Sequence, residues 1–335
     1  MKKIEKHQQR HGFFRWIALA LLILTGLAAS FIPPVQPDIE AASAEVAGPL
    51  FSLPVIGDFY LTNSLIGLVL VDLVIIGLAL AVRKILKSGS IPGKSIGGVV
   101  IAILEVLFEL TEKTAGKWTK KVFPWFATIT LTVLVANWLD LIPGVESVGL
   151  LVPSATGSAI KTLIPGVLST ITRQTEGTKL YSLISFVRAP STDLNFTIAL
   201  SLIAVIGIQA MGLRYRGLSY LRRFFNVSTL FSKPGLGVMD FLVSILELIS
   251  EFAKIVSFAF RLFGNVFAGM VLIALSGTLL PVFGQSGVLL FELFMGLIQA
   301  LVFGLLTMVF MSQAMHSEEQ EETPKDELPI PVVEG

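Results

Sequence analysis

The sequence contains no cysteine and only three histidines, His7, His11 and His316, all near its two ends. The first absence excludes disulfides, thiol chemistry and cysteine-built metal sites, and the second leaves the middle of the chain without a histidine-based catalytic or metal centre. Charge is scarce as well. Lys, Arg, Asp and Glu make up 15% of 335 residues and leave a net charge of +1, so there is no basic field to hold nucleic acid. Nor are there internal repeats of the kind that secondary transporters usually carry. What abounds is apolar: 53% of the residues are hydrophobic, the composition of a polytopic membrane protein with a bilayer as its solvent.

Residues 1–44 combine a basic head, an apolar run over 16–32 and the small residues Ala41, Ala42, Ser43 and Ala44, and read as a leader, either a cleaved signal peptide or a retained extra helix. The Lys and Arg before Trp16 belong in the cytoplasm, which places 33–60 outside. A span over 65–82 ends in the basic loop RKILKSGSIPGKS, marking a cytoplasmic exit. It carries Asp72, either a functional carboxylate or a protonated, hydrogen-bonded one. Over 95–121, Glu105, Glu109 and Glu112 share one helical face and are followed by Lys113, Lys117, Lys120 and Lys121, the pattern of a helix lying at the membrane surface.

The next span, 124–141, is apolar until Asn137 and Asp140 and closes on a Pro-Gly turn at Pro143, near the outer surface. Residues 144–190 far exceed a usual connection between packed helices, so a structured external excursion is expected there. A span over 194–213 returns to the cytoplasm, where RYRGLSYLRRFF supplies four arginines. At its outer end Asp193 and Asn195 suit either a helix start, with Ser191 and Thr192, or an external hydrogen-bonding cluster with Asp140. Two long elements, 238–279 and 288–315, exceed the ~20 residues a perpendicular helix needs, which predicts a strongly tilted antiparallel hairpin turned at 281–287. The acidic, proline-containing tail 317–335 lacks core-forming residues and is expected to be disordered and cytoplasmic.

Within the first of these long elements stands Arg261. An arginine at the centre of a span costs roughly 2.5 to 3.5 kcal/mol and cannot escape by losing its proton. Ser250, Lys254, Ser257, Arg261 and Asn265 follow at steps of four, three, four and four, which places them on one stripe of a helix. Glu247 and Glu251 lie roughly 21 and 15 Å back along the axis, too far to neutralise the arginine. Its partner is expected from another helix or another chain.

The string RLFGN followed by FAG, with E-x-x-S-x-x-x-K upstream, resembles the a subunit (subunit 6) of rotary F-type ATP synthases. Gln299 in LIQALVFGLLTMVF, Asp140 in NWLDLIPG, PSTDLN from Pro190 and IPGK from Ile91 stand in the family's order, so the resemblance covers roughly 59–315. It implies an all-α polytopic membrane domain over 45–316 in a bacterial-type cell membrane, with a cytoplasmic C-terminus. The C-terminal hairpin would pack against a rotor ring of c subunits, and b-type peripheral stalk subunits would be further partners.

On this reading the chain is a non-catalytic stator, without metal or cofactor, that couples proton flow to rotation through two offset half-channels. Glu247, Ser250 and Glu251 would line the cytoplasmic inlet, and Glu292, Asp193, Asn195 and Asp140 the outer one. Gln299 would hydrogen-bond Arg261 from the facing helix, with Asn265 and Lys254 on the arginine's own stripe. One departure stands out: Met270 occupies the position nine residues after the arginine where many relatives carry Glu or His, and the ionisable group moves to Glu292. Glu292 and Met270 are expected at similar depth. An intramembrane-arginine transporter or channel is the alternative, while a purely structural scaffold would leave Asp72, Glu247, Arg261, Glu292 and Gln299 without reason.

Overall fold

In hydrocarbon every backbone N–H and C=O must be satisfied within the chain, so the long Leu-, Ile- and Val-rich runs fold as helices. The computed structural model describes residues 44–54, 57–88, 96–142, 144–165, 167–171, 180–224, 234–279 and 283–316. All of the expected leader but Ala44, the loop containing IPGK, Pro143, the first residues of the hairpin turn and the acidic tail lie outside them.

Among the described residues six helices carry the fold: α1 (Asn63–Ser88), α2 (Ile96–Ala115), α3 (Thr119–Leu139), α4 (Leu194–Arg216), α5 (Pro234–Leu279) and α6 (Phe283–Met315). A 3-10 turn, Gly116–Trp118, joins α2 to α3, and five stretches among the described residues are long and apolar enough to cross a membrane. Buried hydroxyls return their protons to their own helices: Thr111 to the Leu107 carbonyl at 2.7 Å, Ser201 to Thr197 at 2.7 Å and Thr307 to Phe303 at 2.9 Å. A polar residue is thereby accommodated without an inter-helix partner.

Small residues let the helices approach. A Cβ at Gly304 of α6 would collide with Thr130 and Phe126 of α3, and one at Gly296, two turns earlier, would lie 3.2 Å from Asn137 Cβ. The core on either side of this seam joins Ile129, Val133 and Leu134 of α3 to Leu200 and Ala204 of α4, Phe258 and Leu262 of α5, and Ala300 and Phe303 of α6. α1 stays peripheral; Val71 is buried, but Val69, Leu73, Ile76 and Leu80 are exposed as in a lipid-facing helix.

The span expected from Pro124 begins at Thr119 instead, with Pro124 inside α3 near its N-terminal end. Only one early helical hydrogen bond, to the Lys120 carbonyl, is lost there. The expected surface helix is α2. Its glutamates are exposed, but Val100, Ile101, Leu107, Thr111 and Ala115 are buried, because the opposite face packs on α1, α3 and α6. Outside the helical body the chain forms strands that the sequence reading did not foresee. β1 (Glu45–Leu53) and β2 (Gly57–Thr62) make an antiparallel hairpin leading into α1. The long excursion is a sheet in the order β4-β3-β5, formed by β3 (Gly149–Ile164), β4 (Leu168–Ile171) and β5 (Leu180–Ser185).

α5 has 46 residues and α6 has 33. At 1.5 Å per residue these run to about 69 and 50 Å, well beyond a hydrocarbon core of about 30 Å. They pair in antiparallel sense: Gly277 lies beside Gln285 and Gly269 beside Glu292, so positions rise on one helix as they fall on the other.

Candidate functional site

α5 is divided along its length. Phe258, Ala259, Leu262 and Val266 are buried, whereas Ser250, Ser257 and Arg261 are exposed and Lys254 and Asn265 half-buried. The polar stripe therefore lies on the outside of the bundle. Arg261 donates from Nη2 to Ser257 Oγ one turn back, at 3.4 Å, and no carboxylate among the described residues pairs with it. Phe252, Val256 and Phe260 are exposed on the same helix, so the guanidinium emerges from an apolar surface.

The neighbouring acids are occupied elsewhere. Glu247 forms an ion pair with Arg223 of the 3-10 segment after α4, and Glu251 Oε1 accepts from Lys254 Nζ at 2.7 Å. The ammonium of Lys254 also sits 4.6 Å from the Phe310 ring centroid. Glu251 is 7% exposed, and its second oxygen, Oε2, is buried without a hydrogen-bond partner among the described residues. Gln209 Nε2 is buried in the same condition, while Gln209 Oε1 accepts from the Tyr220 hydroxyl at 2.7 Å. Sequence reasoning named neither Gln209 nor Tyr220.

On the hairpin, half-buried Glu292 lays its carboxylate against Gly269, where a Cβ would overlap it. Met270 is the next residue, so Glu292 and Met270 stand at the same level. The end of α3 fastens this part of α6: Trp138 Nε1 donates to the Leu293 carbonyl at 3.1 Å and Asn137 Nδ2 to the Gly296 carbonyl at 3.2 Å. Gln299 is buried with its Nε2 unpartnered among the described residues, and the expected hydrogen bond to Arg261 is not formed. Gln299 shares the buried flank of α6 with Gly296, Ala300 and Phe303, whereas Arg261 points out of the bundle.

Asp140 caps the end of α3 and hydrogen-bonds the side chain of Glu146 in the following loop. Burial, then the charge and hydrogen bond of Glu146, raise the Asp140 carboxyl to about 7; Arg188 opposes this and Glu292 adds slightly to it. Burial likewise raises Glu146, against Arg188 and the Asp140 hydrogen bond. Two carboxyls over one guanidinium can share a proton. Glu146 and Arg188 escaped the sequence reading because they lie six and forty-eight residues from Asp140 and carry no motif of their own.

Asp193 is buried and acts as the cap of α4. Its Oδ1 accepts from the Asn195 backbone N–H at 2.9 Å, and its Oδ2 from Ser64 Oγ of α1 at 2.6 Å. Asn195 and Asp72 are exposed, and Arg188 Nε donates to Thr192 Oγ1 at 2.9 Å. The candidates expected on the outer side are thus of two kinds, a hydrogen-bonded carboxyl pair at Asp140 and a helix cap at Asp193.

Residues 65–312 match the family model of the ATP synthase A chain. Over 214 residues the chain is 30% identical to the sodium-ion-specific ATP synthase subunit a of Propionigenium modestum, covering 64% of this chain and 61% of that protein. Over 266 residues it is 26% identical to ATP synthase subunit a of Mycobacterium ulcerans, covering 77% and 88%. With subunit a of Desulfotalea psychrophila it shares 30% identity over 198 residues, covering 58% and 60%. Since the matched region runs from the beginning of α1 almost to the end of α6, the chain belongs to the ATP synthase A chain family, the non-catalytic a subunits of the F-type membrane sector.

Proposed function

We propose that this chain is the stator of a rotary proton path in a bacterial-type cell membrane, with its C-terminus cytoplasmic. The observation that carries the reading is Arg261, a permanent cation on the exposed apolar side of α5 with no carboxylate partner among the described residues. A carboxylate on a moving partner, here a ring of c subunits, would ionise in the field of Arg261 and release its proton. α5 and α6, too long to stand upright in the bilayer, would tilt along that ring, with b-type stalk subunits holding the stator in place.

Protons would reach the ring through two offset inlets. The outer one leads from Asp140 and Glu146, over Arg188, to Glu292 beside Gly269 and on toward Gln299, with Asp193 and Asn195 shaping its rim. The inner one runs along Ser250, Glu247 and Glu251 and past Gln209 and Tyr220, where Glu251 Oε2 and Gln209 Nε2 offer polar atoms to water. Asn265 extends the polar stripe beyond Arg261, Lys254 holds Glu251, and Asp72 stands apart on α1. Arg261 separates the inlets and blocks direct leakage.

The test is ATP synthesis driven by an ion gradient in the intact complex. Arg261→Ala abolishes it, and Arg261→Lys fails almost as badly because an ammonium can lose its proton and lacks the planar fork. Normal coupled synthesis in an assembled alanine variant would overturn the reading.

A further inference from the structure

On the flank formed by α1, α2 and α3 a crevice of about 510 Å³ opens, within the range of ligand pockets. Leu78 and Val82 of α1, Leu104 of α2 and Leu131 of α3 give it apolar walls, and its only charged lining residues are Arg83 and Lys87. Both cations sit near the end of α1 that lies away from Asn63, about 30 Å along the axis for Arg83. The crevice is therefore greasy along its length and cationic at one membrane surface.

Neither cation has a carboxylate partner among the described residues, and the segment 89–95 that follows α1 contains no acidic residue. The wall from α2 turns Val100 and Leu104 inward while its glutamates, Glu105, Glu109 and Glu112, are exposed and do not line the crevice. Few residues of α1 are buried, so the crevice borders lipid rather than the core.

We propose that this crevice binds an anionic phospholipid, with one acyl chain along the walls of α1, α2 and α3 and the headgroup phosphate held by Arg83 and Lys87. The complementarity is specific in both halves. A guanidinium grips phosphate oxygens in a bidentate fork, the lysine adds a point charge, and basic pockets between membrane helices select anionic headgroups. Zwitterionic lipid fills the walls equally well but presents no net charge to the two cations.

The experiment places a fluorophore at Ala79→Cys, an exposed position of the crevice wall, in the intact complex labelled only on this chain. The complex is reconstituted in vesicles of mixed phosphatidylglycerol and phosphatidylcholine, and quenching by brominated forms of each lipid is compared at equal mole fraction. The brominated phosphatidylglycerol should be favoured by roughly five- to thirtyfold, the range expected from one or two surface cations. In the assembled Arg83→Gln/Lys87→Gln variant the ratio falls to about one. Equal quenching by both lipids in the unmodified chain, a ratio that survives the double substitution, or protection from both lipids by a protein helix seated in the crevice would each overturn the proposal.

Discussion

The carboxylate of Glu292 rests on Gly269, and the missing side chain at 269 is what gives it room. A methyl there must displace it. Gly269→Ala should therefore slow passive proton flux in vesicles stripped of the catalytic head, and adding Glu292→Asp, one methylene shorter, should recover part of the loss. Glu292→Gln alone should slow flux several-fold with assembly intact, and Met270→His should partly restore it by placing a titratable group alongside. Flux unchanged in the Gln variant would remove Glu292 from the path.

The Asp140 and Glu146 pair sets a pH window. Both carboxyls hold protons more tightly in the fold than in the free chain, so their stabilising contribution is complete at acid pH and is lost as pH rises toward about 7, where Asp140 ionises. Glu146→Gln removes a repelling charge and the shared proton, leaving Asp140 with Arg188 and burial. The midpoint of proton uptake from the outer side should fall by about one pH unit. A midpoint that stays put would mean that the pair does not titrate in the path.

Asp193 is predicted to act by shape. Asp193→Asn keeps an oxygen to cap α4 but drops the charge, so the complex should assemble and conduct almost normally. Asp193→Ala loses the cap and the Ser64 bond and should cost about 1 to 2 kcal/mol, read as a lower Tm of the complex. Strong loss of flux in a well-assembled Asn variant would instead make Asp193 a proton carrier.

Removing only one member of the Glu251 and Lys254 pair should be the costly change. Lys254→Met leaves a carboxylate buried without its cation, at about 3 kcal/mol, whereas Lys254→Met combined with Glu251→Gln should regain most of that stability. Thermal unfolding of the four-member set checks the sign of the coupling.

The helices among the described residues and the stripe through Arg261 were legible in the sequence, because hydrophobic length and a period near 3.6 are local properties. Which way each stripe faces is not local. Gln299 was expected beside Arg261, yet packing against α3 turns it into the bundle, and no periodicity within one helix reports that rotation. The strands around 149–185 were missed for a different reason: Pro153, Gly157 and the small residues between them blur the alternation that would mark β3. Asp140 was found through its motif, while Glu146 and Arg188 became visible only when the fold brought the end of α3 and its loop against the segment before α4.

The two bonds from Asn137 and Trp138 end on main-chain carbonyls of α6, at Gly296 and Leu293, and not on its side chains. Every residue type provides a carbonyl, so the axial position of α6 is indifferent to what occupies 292 or 299. The seam works as a vernier stop: it locks the helix in register while leaving the chemistry mounted on it exchangeable. A helix held this way can exchange the side chain at 292 or 299 and keep its place along α3.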